Sequence, residues 1–410
     1  MRTVLFPKGA NDEALLNTCL SKFKCLRVLS LPSATFETLP RTIAKLKHLR
    51  YLDIGGSLNI KRLPESICNL QSLQVLNLSG CTELEALPKG LRKLISLRLL
   101  EFSVKQSVLP VNEIASLSSL ETLNVDLCHN VESIFGGVNF PALKSLHVRE
   151  CQKLKCLSLD GKDFPQLGSL FVDQCHNLES IFGGVKFPAL KALYVSEGQS
   201  LKSLSLDGIN FPQLETLVVN QCHNLESIFG DVKFPALKAL YVLDCQSVKS
   251  LPMDGKNFPQ LETLFVSECG NLDLELWKGN HEEQRPQLKL KLLTFSSLSQ
   301  LVALPKWLQE VANSLQCLRI INCQNIETLP NWLKTMTDLK TLDIRYCPKL
   351  VSLPNDIHHF TALESLTIEG CAELWKKYEP HVGEFWAKIS HIKDVVIIEP
   401  EELLEESEEE

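Results

Sequence analysis

The sequence predicts an α/β solenoid of parallel strands, on three observations. A motif L-x-x-L-x-L recurs fifteen times in register, from Leu26-Leu29-Leu31 to Leu363-Leu366-Ile368. All but two of the steps between copies are 23 or 24 residues. Ten copies carry a cysteine three residues past the last marked apolar position. Each observation follows from the geometry of a short strand. In L-x-L, alternate side chains leave on opposite faces, so the leucines of every copy point to one side. One repeat cannot enclose that apolar side, and its neighbours must do so. The combination is that of a leucine-rich-repeat horseshoe, with a parallel sheet on the concave side and short helical turns or irregular segments on the convex side. With strands about 4.8 Å apart, the concave sheet should run on the order of 70 Å. A buried position such as Leu217 should not tolerate a charge.

The cysteine positions are Cys81, Cys128, Cys151, Cys175, Cys222, Cys245, Cys269, Cys323, Cys347 and Cys371. The repeat consensus has Asn or Cys there, turned inward as the chain leaves the strand. A small, weakly polar thiol suits that site. Fifteen cysteines in a secreted chain would suggest disulfides. A regular ladder of buried free thiols suits a reducing compartment instead.

Two repeat types occur along the chain. Toward the ends, Leu-Pro follows the cysteine position, at Leu39-Pro40, Leu63-Pro64, Leu87-Pro88, Leu304-Pro305, Leu329-Pro330 and Leu353-Pro354. A short helical turn is expected after each, as in Glu65–Leu70 and Lys89–Leu94. In the middle, a 47-residue block of two repeats recurs almost verbatim. HNLESIF stands at His176 and His223, and HNVESIF at His129; FPALK begins at Phe140, Phe187 and Phe234, and FPQL at Phe164, Phe211 and Phe258. Proline shortly before each strand disfavours helix, so extended or turn-like convex segments are expected there. Gly270–Gln287, with Asp273, Trp277, His281, Arg285 and Pro286, breaks the period and reads as a loop insertion.

Four regions follow. Residues 1–24 hold a strand at Thr3–Phe6 and a capping helix over Glu13–Phe23. Asp12 is its N-cap, and Leu15, Leu16, Leu20 and Phe23 form its apolar side. Residues 25–374 are the solenoid. Residues 375–398 form a C-terminal cap through Trp375, Tyr378, Phe385, Trp386, Ile389 and Ile392. Residues 399–410 are an acidic tail with eight of its twelve residues Glu, expected to be disordered, or to dock on a basic partner. The net charge is −7, and without the tail the body is close to neutral. It offers no basic field for nucleic acid. No run approaches the roughly 18 apolar residues of a membrane span. Pro7, Lys8 and Asn11 stand where a signal peptide would be apolar.

No catalytic signature is present: no G-x-x-x-x-G-K-[ST], H-E-x-x-H or G-x-S-x-G. Cys-His pairs recur at Cys128-His129, Cys175-His176 and Cys222-His223, but adjacent residues of an extended chain diverge. Copies two repeats apart are about 10 Å from each other, too far for zinc. The sequence therefore predicts neither an enzyme nor a metal or cofactor.

The candidate site is a protein-binding concave face. Between the second and third marked residues stand Phe171, Tyr194, Val218, Tyr241 and Phe265, an exposed apolar column. Such a column marks an interaction surface, or else stabilises the sheet by cross-strand pairing. The motif's second residue runs Glu121, Lys144, Gly168, Lys191, Glu215, Lys238, Glu262, a surface ion-pair ladder. Toward the end, Arg319, Asp343, Arg345 and Glu369 make the same face charged.

The Leu-Pro repeats with Cys after the strand resemble the leucine-rich-repeat region of plant intracellular immune receptors of the coiled-coil, nucleotide-binding class. The resemblance rests on Phe23–Ile54, on Leu63–Leu100 and on the ending GEFWAKISHI (Gly383–Ile392), where Ala387 interrupts the family's Trp-Lys-Ile-x-His-Ile. The extracellular plant motif L-x-G-x-I-P is absent, and a single sequon, Asn77-Leu78-Ser79, falls inside a strand. The resemblance implies a cytoplasmic recognition module in plant innate immunity. It would sense a pathogen effector or a guarded host protein, or pack on a nucleotide-binding receptor domain. The nucleotide-binding switch itself is missing from the sequence, as in a detached sensor region. Leu-Pro repeats also occur in Ras-group leucine-rich-repeat scaffolds, the alternative function; the Cys ladder and irregular middle count against it.

Overall fold

The structure, a computed structural model, describes residues 1–9, 13–183, 186–230, 233–274 and 288–400. Asp12, most of the Gly270–Gln287 insertion and the acidic tail from Glu401 lie outside the described residues. The chain divides into two compact units, Met1–Leu204 with Asn210–Pro212, and Ser205–Ile209 with Gln213–Glu410.

In the first unit, nine strands pair in parallel in chain order. They run from Thr3–Leu5 and Val28–Ser30, through Tyr51–Asp53, Val75–Leu78, Leu99–Phe102, Thr122–Asp126, Ser145–Arg149 and Ser169–Asp173, to Ala192–Ser196. In the second unit, eight strands do the same: Thr216–Asn220, Ala239–Leu243, Thr263–Ser267, Leu292–Ser296, Cys317–Ile321, Thr341–Arg345, Ser365–Glu369 and Asp394–Ile398. The sequence period sets the register. Leu123, Leu146, Leu170 and Leu193 are partners in successive strands, as are Val125, Val148, Val172 and Val195. All eight are buried. Each such side chain contributes roughly 1.5–3 kcal/mol, so the array is held by its inward columns.

How the chain leaves each strand was not legible beforehand. The residue before the ladder cysteine adopts the left-handed conformation, with φ between 48° and 55° at Leu127, Glu150, Gln174, Gln221, Asp244, Glu268, Asn322 and Tyr346. Gly80 and Gly370 occupy the same place at 72° and 62°. A non-glycine residue there costs about 1–2 kcal/mol, and the turn repeats because it drives the cysteine inward. Every ladder cysteine is buried, and none is in a disulfide. Several of the thiols point at a carbonyl of the preceding repeat: Cys151 Sγ to Val125 O at 3.7 Å, Cys269 to Val242 O at 3.6 Å, Cys347 to Ile320 O at 3.7 Å. Burial pushes the Cys81 and Cys269 thiols up to about 11, so they stay protonated donors.

Opposite the main sheets, the two repeat types diverge. After the Leu-Pro pairs the chain forms single 3-10 turns, among them Arg41–Lys45, Glu65–Asn69, Lys306–Val311 and Asn331–Thr335, each entered from an extended proline. In the duplicated middle it stays extended, and Cys156–Leu159 pairs in parallel with Ser180–Phe182 as a second, two-stranded sheet. The duplicated motifs converge there on a phenylalanine triad. The stacked pair Phe140 and Phe164, from FPALK and FPQL, lies 5.2 Å apart, and Phe135 from the ESIF turn meets both edge-on at 5.5 and 5.7 Å. Phe182, Phe187 and Phe211 repeat the triad, as do Phe229, Phe234 and Phe258. The triad fills the space a helix would fill elsewhere, with the edge and face contacts that aromatic quadrupoles favour.

At the ends, the helix Glu13–Lys22 buries Leu16 and Leu20, whereas Leu15 is exposed and does not belong to the packed side. Beyond the last leucine motif, the helix Ala372–Tyr378 buries Leu374 and Tyr378. The stretch after it is more than a covering layer. Asp394–Ile398 adds one further parallel strand against Ser365–Glu369, because Val395 and Ile397 supply the alternation without the leucines.

Candidate functional site: the outward faces of the sheets

The side of each strand facing away from the leucine columns carries the predicted site residues. In the first unit, His147, Phe171 and Tyr194 are direct partners in successive strands. Their rings stack, with centroids 4.3 Å apart between His147 and Phe171 and 4.5 Å between Phe171 and Tyr194, and planes within 19° and 8°. All three are half-buried. They line a depression of about 310 Å³ together with Asn124, Asp126, Arg149, Asp173 and Ser196. His147 was missed in the sequence. It occupies the same motif position as Phe171 one repeat earlier, and a search restricted to apolar residues passes over it.

The depression has its own electrostatics. Asp126 is buried and accepts from Arg149 Nη2 at 3.1 Å and from Ser79 Oγ at 3.0 Å. Glu101, one strand further back, accepts from Asn124 Nδ2 at 2.6 Å. Burial, then the neighbouring Asp126 charge, holds the Glu101 carboxyl above its ordinary range. Burial likewise lowers the His147 imidazole, with Asp126 opposing and Arg149 adding to the shift. Ser169 Oγ donates to Ser145 Oγ at 2.9 Å, and Ser145 Oγ lies 2.9 Å from His147 Nε2, an arrangement that suits a neutral ring accepting at Nε2. The sign of the pH effect follows. The unfolded chain binds a proton at His147 more readily, so its contribution to stability is present above about pH 6.5 and is lost as pH falls below it. His147→Phe should therefore flatten the loss of first-unit stability between pH 6.5 and 5, read as the shift of the urea midpoint. An unchanged slope would contradict this assignment.

In the second unit, Tyr241 and Phe265 are strand partners with ring centroids 6.3 Å apart and planes within 27°. Two strands on, the charged residues join into one network. Arg345 Nε donates to Asp343 Oδ1 at 2.7 Å, Arg345 Nη1 to Glu369 Oε2 at 3.1 Å, Tyr346 Oη to Glu369 Oε1 at 2.5 Å, and Arg319 Nε lies 3.9 Å from Asp343 Oδ2. Asp343 is 7% exposed. It holds the two arginines in place and is not itself displayed, while Arg319, Arg345 and Tyr346 form the accessible rim. The motif's second positions pair as Lys144–Glu121 at 3.2 Å and Lys238–Glu215 at 2.8 Å. These pairs are solvent-exposed and contribute little to stability.

The Cys-His motifs separate as the chain direction requires. Cys175 turns inward, while His176 Nδ1 lies 3.0 Å from Glu197 O on the surface. Among the described residues no group of three or more His, Cys, Asp or Glu side chains converges on a metal position. Among them also, no helix is long and apolar enough to cross a membrane.

Comparison with known proteins gives the fold of this scaffold and what its repeats are similar to. Against solved structures, the chain is similar to the one in the TLR13–ssRNA13 complex, with a TM-score of 0.57 and 16% identity, over 97% of this chain and 61% of that one. It is also similar to a leucine-rich-repeat protein of Leptospira interrogans, with a TM-score of 0.44 and 19% identity, over 97% and 90% of the two chains. At these identities the likeness concerns the fold, and only the first score supports an argument. No curated protein sequence matches. Residues 6–136 match the leucine-rich repeat region family. Residues 137–270, which hold the duplicated blocks and the aromatic faces, match the leucine-rich repeats of the plant disease resistance protein RPS2-like family. The chain thus has the leucine-rich-repeat fold, and its residues 137–270 are similar to the leucine-rich repeats of the RPS2-like plant disease resistance family.

Proposed function

We propose that the chain is a recognition module of plant innate immunity that binds a protein on the outward faces of its strands. The occupant is a pathogen effector, a guarded host protein or a nucleotide-binding receptor domain. The observation that carries this reading is the stacked His147–Phe171–Tyr194 slab within a depression, inside repeats similar to those of the disease resistance family. Half-buried rings already fixed in a stack lose little conformational freedom on binding and offer a large apolar surface. Tyr241–Phe265 and the Arg319–Arg345 rim extend the same chemistry on the second unit. The buried thiol ladder fits a reducing, cytoplasmic setting. Neither catalysis nor a cofactor is part of this reading, since recognition needs surface complementarity alone.

Co-purification from plant extract tests the proposal. The full chain is expected to retain a host protein that a Tyr194→Ala/Tyr241→Ala variant loses. Retention of the same proteins by both chains would remove these faces from recognition.

A further inference from the structure

The motif's second position is balanced in charge along the middle of the chain and unbalanced near its start. From Glu121 on, side chains at this position pair across neighbouring strands, Lys144 with Glu121 at 3.2 Å and Lys291 with Glu262 at 2.9 Å. In the four repeats before it stand Arg27, Arg50, Gln74 and Arg98. Backbone hydrogen bonds of 2.8 Å join each to the next, Arg50 N to Arg27 O, Gln74 N to Arg50 O and Arg98 N to Gln74 O, so the row is continuous. Among the described residues no ion pair engages these three guanidiniums; the pairs of these repeats use Lys61, Arg62, Arg92 and Lys105. Exposed Lys24 and Lys47 add charge at the same end of the strands. One residue further on lies an apolar row: Val28, Tyr51, Val75 and Leu99 are direct partners in successive strands and half-buried. Beyond it come Asp53, which accepts from Ser30 Oγ at 2.8 Å and the Gly55 amide at 2.9 Å, and Glu101, which accepts from Asn124. The surface is therefore banded into guanidiniums, apolar side chains and carboxylates.

We propose that this banded surface takes the acidic segment 401–410 of a second copy of the chain. The segment reads EELLEESEEE, with Leu403 and Leu404 between pairs of glutamates. Its chemistry complements the surface band by band. The leucines match the apolar row, and the glutamates match Arg27, Arg50 and Arg98, whose planar forks suit carboxylates. Asp53 and Glu101 repel the glutamates from the far side, which fixes the side they take. The sizes agree as well. Four strands about 4.8 Å apart span roughly 14 Å, and six residues such as 401–406 reach up to about 20 Å. The donor segment and the receiving surface are different parts of the chain, so the contact is heterologous and association need not stop at two copies. The inference stands apart from the recognition reading, since it uses none of the stacked rings.

Two readouts on the full chain test the proposal. Light scattering of the wild type at low salt should give a mass that rises with concentration and returns to that of one chain when salt screens the charges. Leu403→Ser/Leu404→Ser should stay a single chain throughout; it alters no residue of the described fold. Fluorescence anisotropy then locates the surface. A labelled peptide of residues 399–410 is titrated with the Leu403→Ser/Leu404→Ser chain, whose own leucines cannot compete. Adding Arg27→Gln/Arg50→Gln/Arg98→Gln should weaken binding about five-fold, the change that losing three exposed charge pairs implies. Lys191→Gln/Lys238→Gln/Lys340→Gln removes as many charges from the same motif position and should leave binding unchanged. An unaltered urea midpoint in both triple variants confirms an intact fold. A mass independent of concentration, equal loss from the two triple variants, or equal binding of a peptide with serine at both leucine positions would overturn the proposal. A single-stranded RNA that binds more tightly than the peptide would also overturn it, assigning the arginine row to nucleic acid.

Discussion

Leu217→Asp is expected to abolish order at the start of the second unit while leaving its far end folded. Leu217 is fully buried, and its strand partner is Leu240. The substitution removes about 2 kcal/mol of apolar burial and places a carboxylate among leucines and valines, a total cost on the order of 5 kcal/mol or more. In a stacked array each repeat leans on its neighbours, so the damage spreads to adjacent strands and fades with distance. Amide exchange should show Thr216–Asn220 and Ala239–Leu243 losing protection while Cys317–Ile321 keeps it. Val218→Asp, one residue on but facing outward, should cost about 1 kcal/mol or less. Equal loss from the two variants would contradict the assignment of the faces.

The second large effect is steric. A Cβ on Gly208 would sit 1.4 Å from the carbonyl oxygen of Lys233, and one on Gly161 would sit 1.7 Å from that of Lys186. These glycines are the same residue of the duplicated block, in DGKDF and DGINF. They let the extended convex segments of neighbouring repeats touch backbone to backbone. Gly208→Ala or Gly161→Ala must push two main chains apart, and each is expected to cost about 3 kcal/mol. Gly136→Ala, with nothing within 4 Å of the added methyl, should be close to neutral. Limited proteolysis gives the comparison directly: new cleavage near Lys233 in Gly208→Ala and none in Gly136→Ala. Intact digestion patterns in all three variants would show that the close approach does not exist.

The strand ladder was legible in the sequence because a period of 23–24 residues and an alternation of two have no other consistent solution. The cysteine ladder was legible for the same reason. What escaped lies where spacing carries no information. The left-handed residue before each cysteine is Leu, Glu, Gln, Asp, Asn or Tyr, so its conformation is set by the turn and not by residue type. Gly80 and Gly370 in that register were the one available hint. The phenylalanine triads needed three motifs to be folded onto one another, and no single motif signals the convergence. The last strand, Asp394–Ile398, replaces leucine with valine and isoleucine and so falls outside the repeat pattern. At the site, Phe171 and Tyr194 were read from their column. His147 was not, because a polar residue enters the stack only through its ring. Asp343 was read as exposed from its strand position, whereas Arg319 and Arg345 cover it.

On the proposed reading, the aromatic outward face of the first unit contacts a protein partner. Site-specific photo-crosslinking tests it most directly, with p-benzoylphenylalanine placed in the full chain at Tyr194 or at Lys162. Lys162 lies in the convex DGKDF segment, and its side chain is 74% exposed. In plant extract, irradiation should give a discrete crosslinked protein from position 194, competed by excess unlabelled wild-type chain, and none from position 162. Crosslinking of the same protein from position 162 alone would place recognition on the opposite side and contradict the account.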